Sequence, residues 1–366
     1  MSGFNKIDLP QEHSVSNDKQ RNSSIELLRI ISMLMVLCLH SNKDMILVNH
    51  FDKLMINSIL IYGIESFSIV AVNCYVLISG YFLIKSQTLK IRKAVDIVFL
   101  TSFYGFFLYI PCCIFGIESF EVKGLIKSVL PYFFDKVWFI NIYLVLYLLH
   151  PFINKALISL SKHNYQLLLV ILISLFSIWP SFLPNPPSND KGYGIISFVL
   201  MYSIAGYIRL HLSLKKSFIK YIAVYFVLSI ITAVLCVTNI IPGSWLNYNS
   251  IFVISASVFL FVAFLSIEFE SKTVNYISLS MIAVLIIHTH QSIRPHIFLE
   301  IFKIQNHLMQ SLFVLYYIAM ILIIFFICVI LDFLRRKIFY LFDKILDKIP
   351  VFNSTINIFE KYKSKD

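Results

Sequence analysis

An all-α, polytopic transmembrane helical bundle of about ten spans is the fold class this sequence predicts, and three observations carry that expectation. Of 366 residues, 58% are hydrophobic and 14% charged, with a mean hydropathy of +0.79; soluble domains carry roughly 25% charged residues. The apolar residues gather into runs close to the ~20 that a helix needs to cross the hydrocarbon core. Lysine and arginine are divided unevenly between alternate loops, the pattern that sets orientation in a bilayer. Phe (34) and Tyr (20) are abundant, as expected of lipid-facing helices with aromatic belts. The net charge of +11 then belongs to cytoplasmic loops, and no nucleic-acid partner is expected.

Taken in order, residues 1–22 are polar, of mixed charge and without an apolar h-region. They read as a cytoplasmic, disordered tail and not as a signal peptide, so the first span directs insertion. A membrane domain follows over 23–340, and 341–366 reads as a cytoplasmic C-terminal tail. The spans are expected at Ile25–Leu47, Ile64–Ile84, Ala94–Phe115, Val137–Ile153, Tyr165–Leu183, Ile195–Ile208, Phe218–Ile241, Ser250–Ile267, Val274–Ile293 and Ser311–Leu334. Leu54–Tyr62 reads as a separate interfacial piece and Val122–Leu130 as a short amphipathic helix. Pro184-Asn-Pro-Pro187 stops the fifth span, because proline lacks the backbone donor and clashes with the preceding turn. The six cysteines lie in apolar runs at spacings that suggest neither a disulfide framework nor a metal site, and they read as small buried hydrophobes.

With the N-terminus inside, eighteen Lys and Arg fall on the cytoplasmic side and eight on the other. That asymmetry places both termini in the cytoplasm and makes the span number even. It sets Arg29 near the inner face and His40 near the outer face.

Ionisable groups inside apolar spans are functional candidates because the bilayer makes them costly. The stretch from Ile25 to His40 carries three: Glu26, Arg29 and His40. Arg29 and His40 are eleven residues apart, which is about three turns and about 16 Å of rise along one helix face. A neutral imidazole can take a proton from an attacking hydroxyl. A guanidinium can hold a carbonyl or a phosphate. The competing reading is that Arg29 snorkels to the inner headgroups and His40 rests at the outer interface.

This stretch resembles the opening of the acyltransferase 3 family of membrane O-acyltransferases, in Glu26-Leu27-Leu28-Arg29 and in Arg29-x10-His40. Four further segments resemble that family in the expected order. Val72 to Leu83 ends in Ser79-Gly80-Tyr81, with Asn73 where an aromatic is usual; the resemblance implies a place beside the acyl-donor channel for Ser79 and Gly80, and close helix packing is the alternative. Lys90-Ile-Arg92-Lys93 resembles a pair of arginines spaced by two residues, implying contact with coenzyme A phosphates; lysine keeps the charge but not the bidentate fork. Ordinary cytoplasmic-side charge is the other reading of that cluster. Trp138-Phe139, followed by Tyr143, Tyr147, His150 and a proline closing the span, is also family-like, with packing and structural roles expected for the tyrosines and for His150. Ile277 to His290 supplies Ser280 and His288; His288 and His290, two apart, do not share a helix face, so no metal pair is expected.

The resemblance implies a multi-pass enzyme of the cell (plasma or inner) membrane. It would transfer an acyl group, acetyl from acetyl-coenzyme A, to a hydroxyl of an extracytoplasmic saccharide such as a capsule, O-antigen or exopolysaccharide unit. His40 would act as base, Glu65 would orient it or contact substrate, and Arg29 with Glu26 would serve the donor side. His288, Arg294 and His296 could contact the acceptor. No permanently bound cofactor is expected. A polysaccharide polymerase should show a large, arginine-bearing outer loop, and the longest outer loops here are about 20 residues. A flippase-type transporter should show internal repeats, and a purely structural subunit leaves Arg29 and His40 on one face unexplained.

The charge asymmetry makes a direct topological prediction. Reporters fused after Lys93 and after Lys216 should report cytoplasm, and one fused at Lys191 should report the exterior; the reverse pattern would turn His40 inward.

Overall fold

In the computed structural model, residues 22–48, 56–134, 137–241, 243–308 and 310–346 are described, and among them regular structure is wholly helical. In chain order the helices are α1 (Ser23–Val48), α2 (Ile56–Ser68), α3 (Ala71–Leu83), α4 (Ile91–Ile114), α5 (Val122–Val129), α6 (Trp138–Ile158), α7 (Lys162–Ile173), α8 (Trp179–Phe182), α9 (Ile195–His211), α10 (Phe218–Thr238), α11 (Ile251–Leu265), α12 (Lys272–Ser278), α13 (Met281–Thr289), α14 (Ile293–Pro295), α15 (Ile304–His307) and α16 (Phe313–Leu346). Helix is what a chain without water to solvate its backbone must form, since every N–H and C=O is then paired internally.

Seven helical stretches are long and apolar enough to cross a bilayer, and the bent pair α12–α13 makes an eighth. The chain is therefore a multi-pass helical membrane protein. Helices α9 and α11, with 17 and 15 residues, are shorter; at 1.5 Å per residue they rise about 25 and 22 Å against a core of ~30 Å. Both are lined with buried residues, including Phe198, Met201, Tyr202, Ile254, Leu260 and Phe261. Protein surrounds them, so they are free of the length that lipid contact demands. An outer ring of exposed apolar side chains, Phe99, Phe107, Phe152, Ile219, Ile230, Leu315 and Ile327 among them, gives the bundle its lipid-facing surface.

The bundle is assembled around α1. One hydrophobic cluster joins Ile25, Leu28 and Leu39 of α1 to α3, α9 and α11. A second joins Ile30, Met33, Val36 and Leu37 to α13 and α16. The first helix is thus apolar on two opposed faces, which is why its sequence reads as a nearly continuous hydrophobic run.

Several expected boundaries are corrected. The interfacial piece expected at Leu54–Tyr62 is not separate where it is described: residues 56–62 are the first turns of α2, and the span runs Ile59–Leu83 through a brief break after Ser68. Gly63 sits in the helix with open space where a Cβ would be. Pro151 does not close its span. Helix α6 continues to Ile158, because His150 Nδ1 donates to the Tyr147 carbonyl, the group that the missing proline N–H would have served. His150 is thereby structural. The last helix runs on to Leu346, six residues into the expected C-terminal tail. Residues 1–21 and 347–366 of the two expected tails lie outside the described residues.

A charged knot fastens α16 to its neighbours. Asp332, fully buried, accepts from Tyr104 Oη of α4 at 2.9 Å and from Arg335 Nε at 2.9 Å. Its other oxygen lies 3.2 Å from Arg336 Nε. Arg336 also donates to Ser280 Oγ at 3.0 Å, at the break between α12 and α13, and lies over the Tyr276 ring. Replacing Asp332 with Ala strands two guanidiniums, and breaking a buried ion pair costs about 3–5 kcal/mol. Asp332→Ala should therefore lower the melting temperature of the detergent-solubilised protein markedly, whereas Lys216→Ala, in an exposed pair with Glu268, should leave it nearly unchanged.

Candidate functional site

His40 stands near the C-terminal end of α1, and its ring meets that of His288 from α13, with centroids 5.0 Å apart. His40 Nδ1 and His288 Nε2 are 2.8 Å apart. His288 Nδ1 lies 2.6 Å from the Val284 carbonyl, one turn back on its own helix. A carbonyl only accepts, so His288 Nδ1 must carry a proton. In a neutral ring Nε2 of His288 is then an acceptor, and His40 Nδ1 must donate to it. The lone pair of His40 is thereby placed on Nε2. This chain of donors selects one tautomer of His40 out of two.

The sequence offered Glu65 as the group that orients His40; the geometry assigns that position to His288. An imidazole nitrogen can take the role expected of a carboxylate oxygen because the requirement is only an acceptor at Nδ1. Glu65 instead accepts from Asn42 Nδ2 at 2.8 Å, and Tyr317 Oη of α16 donates to Asn42 Oδ1 at 2.8 Å. Tyr317 also lies 3.1 Å from the Cys38 carbonyl. His288, expected among the acceptor contacts, is fully buried behind His40. Arg294 comes to the same place: its Nη2 donates to the His40 backbone carbonyl at 3.1 Å. His296, grouped with Arg294 in the sequence reading, pairs with Glu300 at 2.6 Å.

At the other end of α1, Glu26 is buried and its carboxylate lies 3.4 Å from Arg29 Nη1. The Arg29 side chain keeps 34% exposure, so the carboxylate steadies the guanidinium without enclosing it. Tyr75 Oη of α3 donates to the Arg29 carbonyl at 2.6 Å, and its ring meets Phe139 of α6. Phe139 in turn stacks on Tyr143.

Ser79 donates to the Tyr75 carbonyl at 2.9 Å, a bond within its own helix, and lies 3.5 Å from Tyr143 Oη. Gly80 packs closely against α9: a Cβ there would stand 2.7 Å from the Tyr202 carbonyl and 2.9 Å from Tyr202 Cα. Lys90, Arg92 and Lys93 are exposed at the start of α4, where Tyr147 Oη donates to the Lys90 carbonyl at 3.1 Å. Ser280, matched in sequence, is held by Arg336. Asn73, the departure from the family's usual aromatic, has a specific partner: its Nδ2 donates to the Tyr248 carbonyl at 2.9 Å.

Three contributors escaped the sequence reading. Asn42 and Tyr317 carry no signal, being single polar residues in apolar helices. Asp332 did carry one: a lone acid in the last span, three and four residues before two arginines, a spacing that places all three on one face. Among the described residues, no group of three His, Cys, Asp or Glu side chains is arranged to hold a metal.

The bundle defines a multi-pass membrane protein, and the histidine pair lies within it. A family model described as an acyltransferase domain matches residues 22–333, nearly the whole chain. The chain belongs to that family and is a membrane acyltransferase. No curated protein and no solved structure compared with it gives a match.

His288→Ala should leave His40 free to take either tautomer and lower acyl transfer, within the about 10²–10⁴-fold that a general base contributes. His288→Gln, whose amide oxygen can still accept from His40 Nδ1, should recover part of that loss. Transfer rates at matched protein levels check both.

Proposed function

We propose that the protein transfers acetyl from acetyl-coenzyme A to a hydroxyl of an extracytoplasmic saccharide, in the cell's plasma or inner membrane. The observation that carries this reading is the Val284–His288–His40 chain, which leaves a base lone pair at His40 Nε2. The acceptor hydroxyl gives its proton to Nε2 as its oxygen attacks the thioester carbonyl. The imidazolium formed is stabilised by donation from Nδ1 to the neutral His288 ring. Collapse of the tetrahedral intermediate breaks the C–S bond, and the departing thiolate takes the proton back from His40. The products are the acyl ester and free coenzyme A.

On this reading the bundle has ten spans, with α9 and α11 counted, and both termini are cytoplasmic. Lys90, Arg92 and Lys93 then face the compartment that supplies the donor and neutralise its phosphates. The partly open guanidinium of Arg29, braced by Glu26, holds a donor carbonyl or phosphate along the path between that cluster and His40. Preset charges of this kind need no reorganisation when the reaction occurs.

Two variants test the assignment, read as acylated saccharide from cells at matched protein levels. His40→Ala should lose about 10²–10⁴-fold in transfer, the usual contribution of a general base. Arg29→Lys should also be strongly impaired, because lysine preserves the charge and loses the planar fork. Normal product from His40→Ala would remove the catalytic role of this site.

A further inference from the structure

The outer ends of α6, α9 and α11 bring three aromatic rings together. Trp138 opens α6, Tyr193 precedes α9 and Tyr248 precedes α11. Ring centroids are 4.5 Å apart for Trp138–Tyr193, 5.0 Å for Tyr193–Tyr248 and 5.9 Å for Trp138–Tyr248. Helices α9 and α11 are the two short ones, so the segments that carry Tyr193 and Tyr248 enter the bundle where a full-length span would still be helical. The Glu65 carboxylate is within electrostatic reach of both tyrosine hydroxyls. Glu65 lies six residues inside the outer end of its span, which is about 9 Å of rise. It is also tied through Asn42 to the end of α1 that carries His40. The cluster therefore belongs to the same end of the bundle as the base.

Two features distinguish this cluster from ordinary packing. First, Tyr193 is 45% exposed although two aromatic partners lie against its ring. Second, its loop is held in a costly backbone shape. Lys191 has φ +56° and Gly192 has φ +88°, and a left-handed lysine costs of order 1–3 kcal/mol. Asp190 Oδ1 accepts from the Gly192 N–H at 2.9 Å, and Tyr248 N–H donates to the Lys191 carbonyl at 3.1 Å. A Cβ on Gly192 would stand 2.6 Å from the Asn249 nitrogen, so only glycine lets the two loops lie this close. From below, Asn73 grips the Tyr248 carbonyl. The open ring is thus fixed before any ligand arrives.

We infer that Trp138, Tyr193 and Tyr248, with Glu65 beside them, form the acceptor subsite, which stacks the apolar face of a pyranose ring and directs one of its hydroxyls toward His40. An aromatic ring with a polar tip suits such a ligand, because a sugar presents C–H bonds on one face and hydroxyls around its rim. A carboxylate accepts from those hydroxyls. The Tyr248 phenol carries a proton that it can donate to the same rim. The inference rests on the acyltransfer reading above and adds the place where the acceptor binds.

The experiment uses the full chain purified in detergent and acetyl-coenzyme A, following thiol release. The acceptor probe is envelope polysaccharide from the native host, stripped of its ester groups by mild alkali and titrated. Tyr193→Ala should raise the half-saturating polysaccharide concentration by about three- to tenfold, the worth of one aromatic contact, and by more than it lowers the maximal rate. Tyr193→Phe should recover most of that affinity, because the ring is retained. An unchanged half-saturation in Tyr193→Ala, with the unaltered chain active, overturns the subsite alone, as does a Phe variant as weak as the Ala variant. Failure of the polysaccharide to stimulate thiol release by the unaltered chain overturns the acyltransfer reading, and the subsite with it.

Discussion

One hydrogen bond, from His288 Nδ1 to the Val284 carbonyl, decides the character of the site. It is a bond within a single helix, and its direction is forced because a carbonyl has no proton to give. Every later proton position follows from it: His288 Nε2 accepts, His40 Nδ1 donates, and His40 Nε2 holds the lone pair. In a water-filled cleft the imidazoles could exchange tautomers through solvent. With His288 fully buried, the helix backbone fixes the arrangement instead. A histidine here stands against Nδ1 of another histidine, where many hydrolases have a carboxylate. It does so without adding a formal charge to the membrane interior, where charge is costly.

The same economy of charge runs through the bundle. Glu26 and Arg29 face each other near one end of α1, and Asp332 draws in two arginines and a tyrosine past the middle of α16. Buried hydroxyls return to their own helices: Thr101 to Ile97, Ser203 to Val199, Thr232 to Leu228 and Ser257 to Val253. Tyrosines do the work between helices, with Tyr75 bonded to α1, Tyr165 to α9, Tyr225 to α2 and Tyr317 to α1. A phenol suits that role because its ring packs as a hydrophobe while its hydroxyl reaches a backbone carbonyl. The high tyrosine content therefore serves interior fastening as well as the membrane interface.

Helix α1 shows how scaffold and site are joined. Its apolar faces bind two separate hydrophobic clusters, and its polar residues fall where those clusters leave room. Any rearrangement of α13 or α16 against α1 would move His288 or Tyr317 relative to His40. The precision of the histidine pair thus depends on packing that is distributed over the whole second cluster.

The sequence by itself determined the membrane character, the helical class, most of the span positions and the alignment of Arg29 and His40 along one helix. These depend on local quantities: hydropathy summed over ~20 residues, loop charge, and the 3.6-residue turn that aligns positions eleven apart. It also marked His288 and Arg294, but could not say that both converge on His40, because 248 and 254 positions separate them along the chain. Only tertiary structure decided that His288 and not Glu65 faces Nδ1, that Gly80 is spent on contact with α9, and that Asn73 serves the Tyr248 loop. The same holds for Pro151, which local rules read as a stop: a neighbouring histidine supplies the missing donor, and the helix continues. Polar partnership in an apolar solvent is set by which helices lie side by side, and no local pattern in the chain records that.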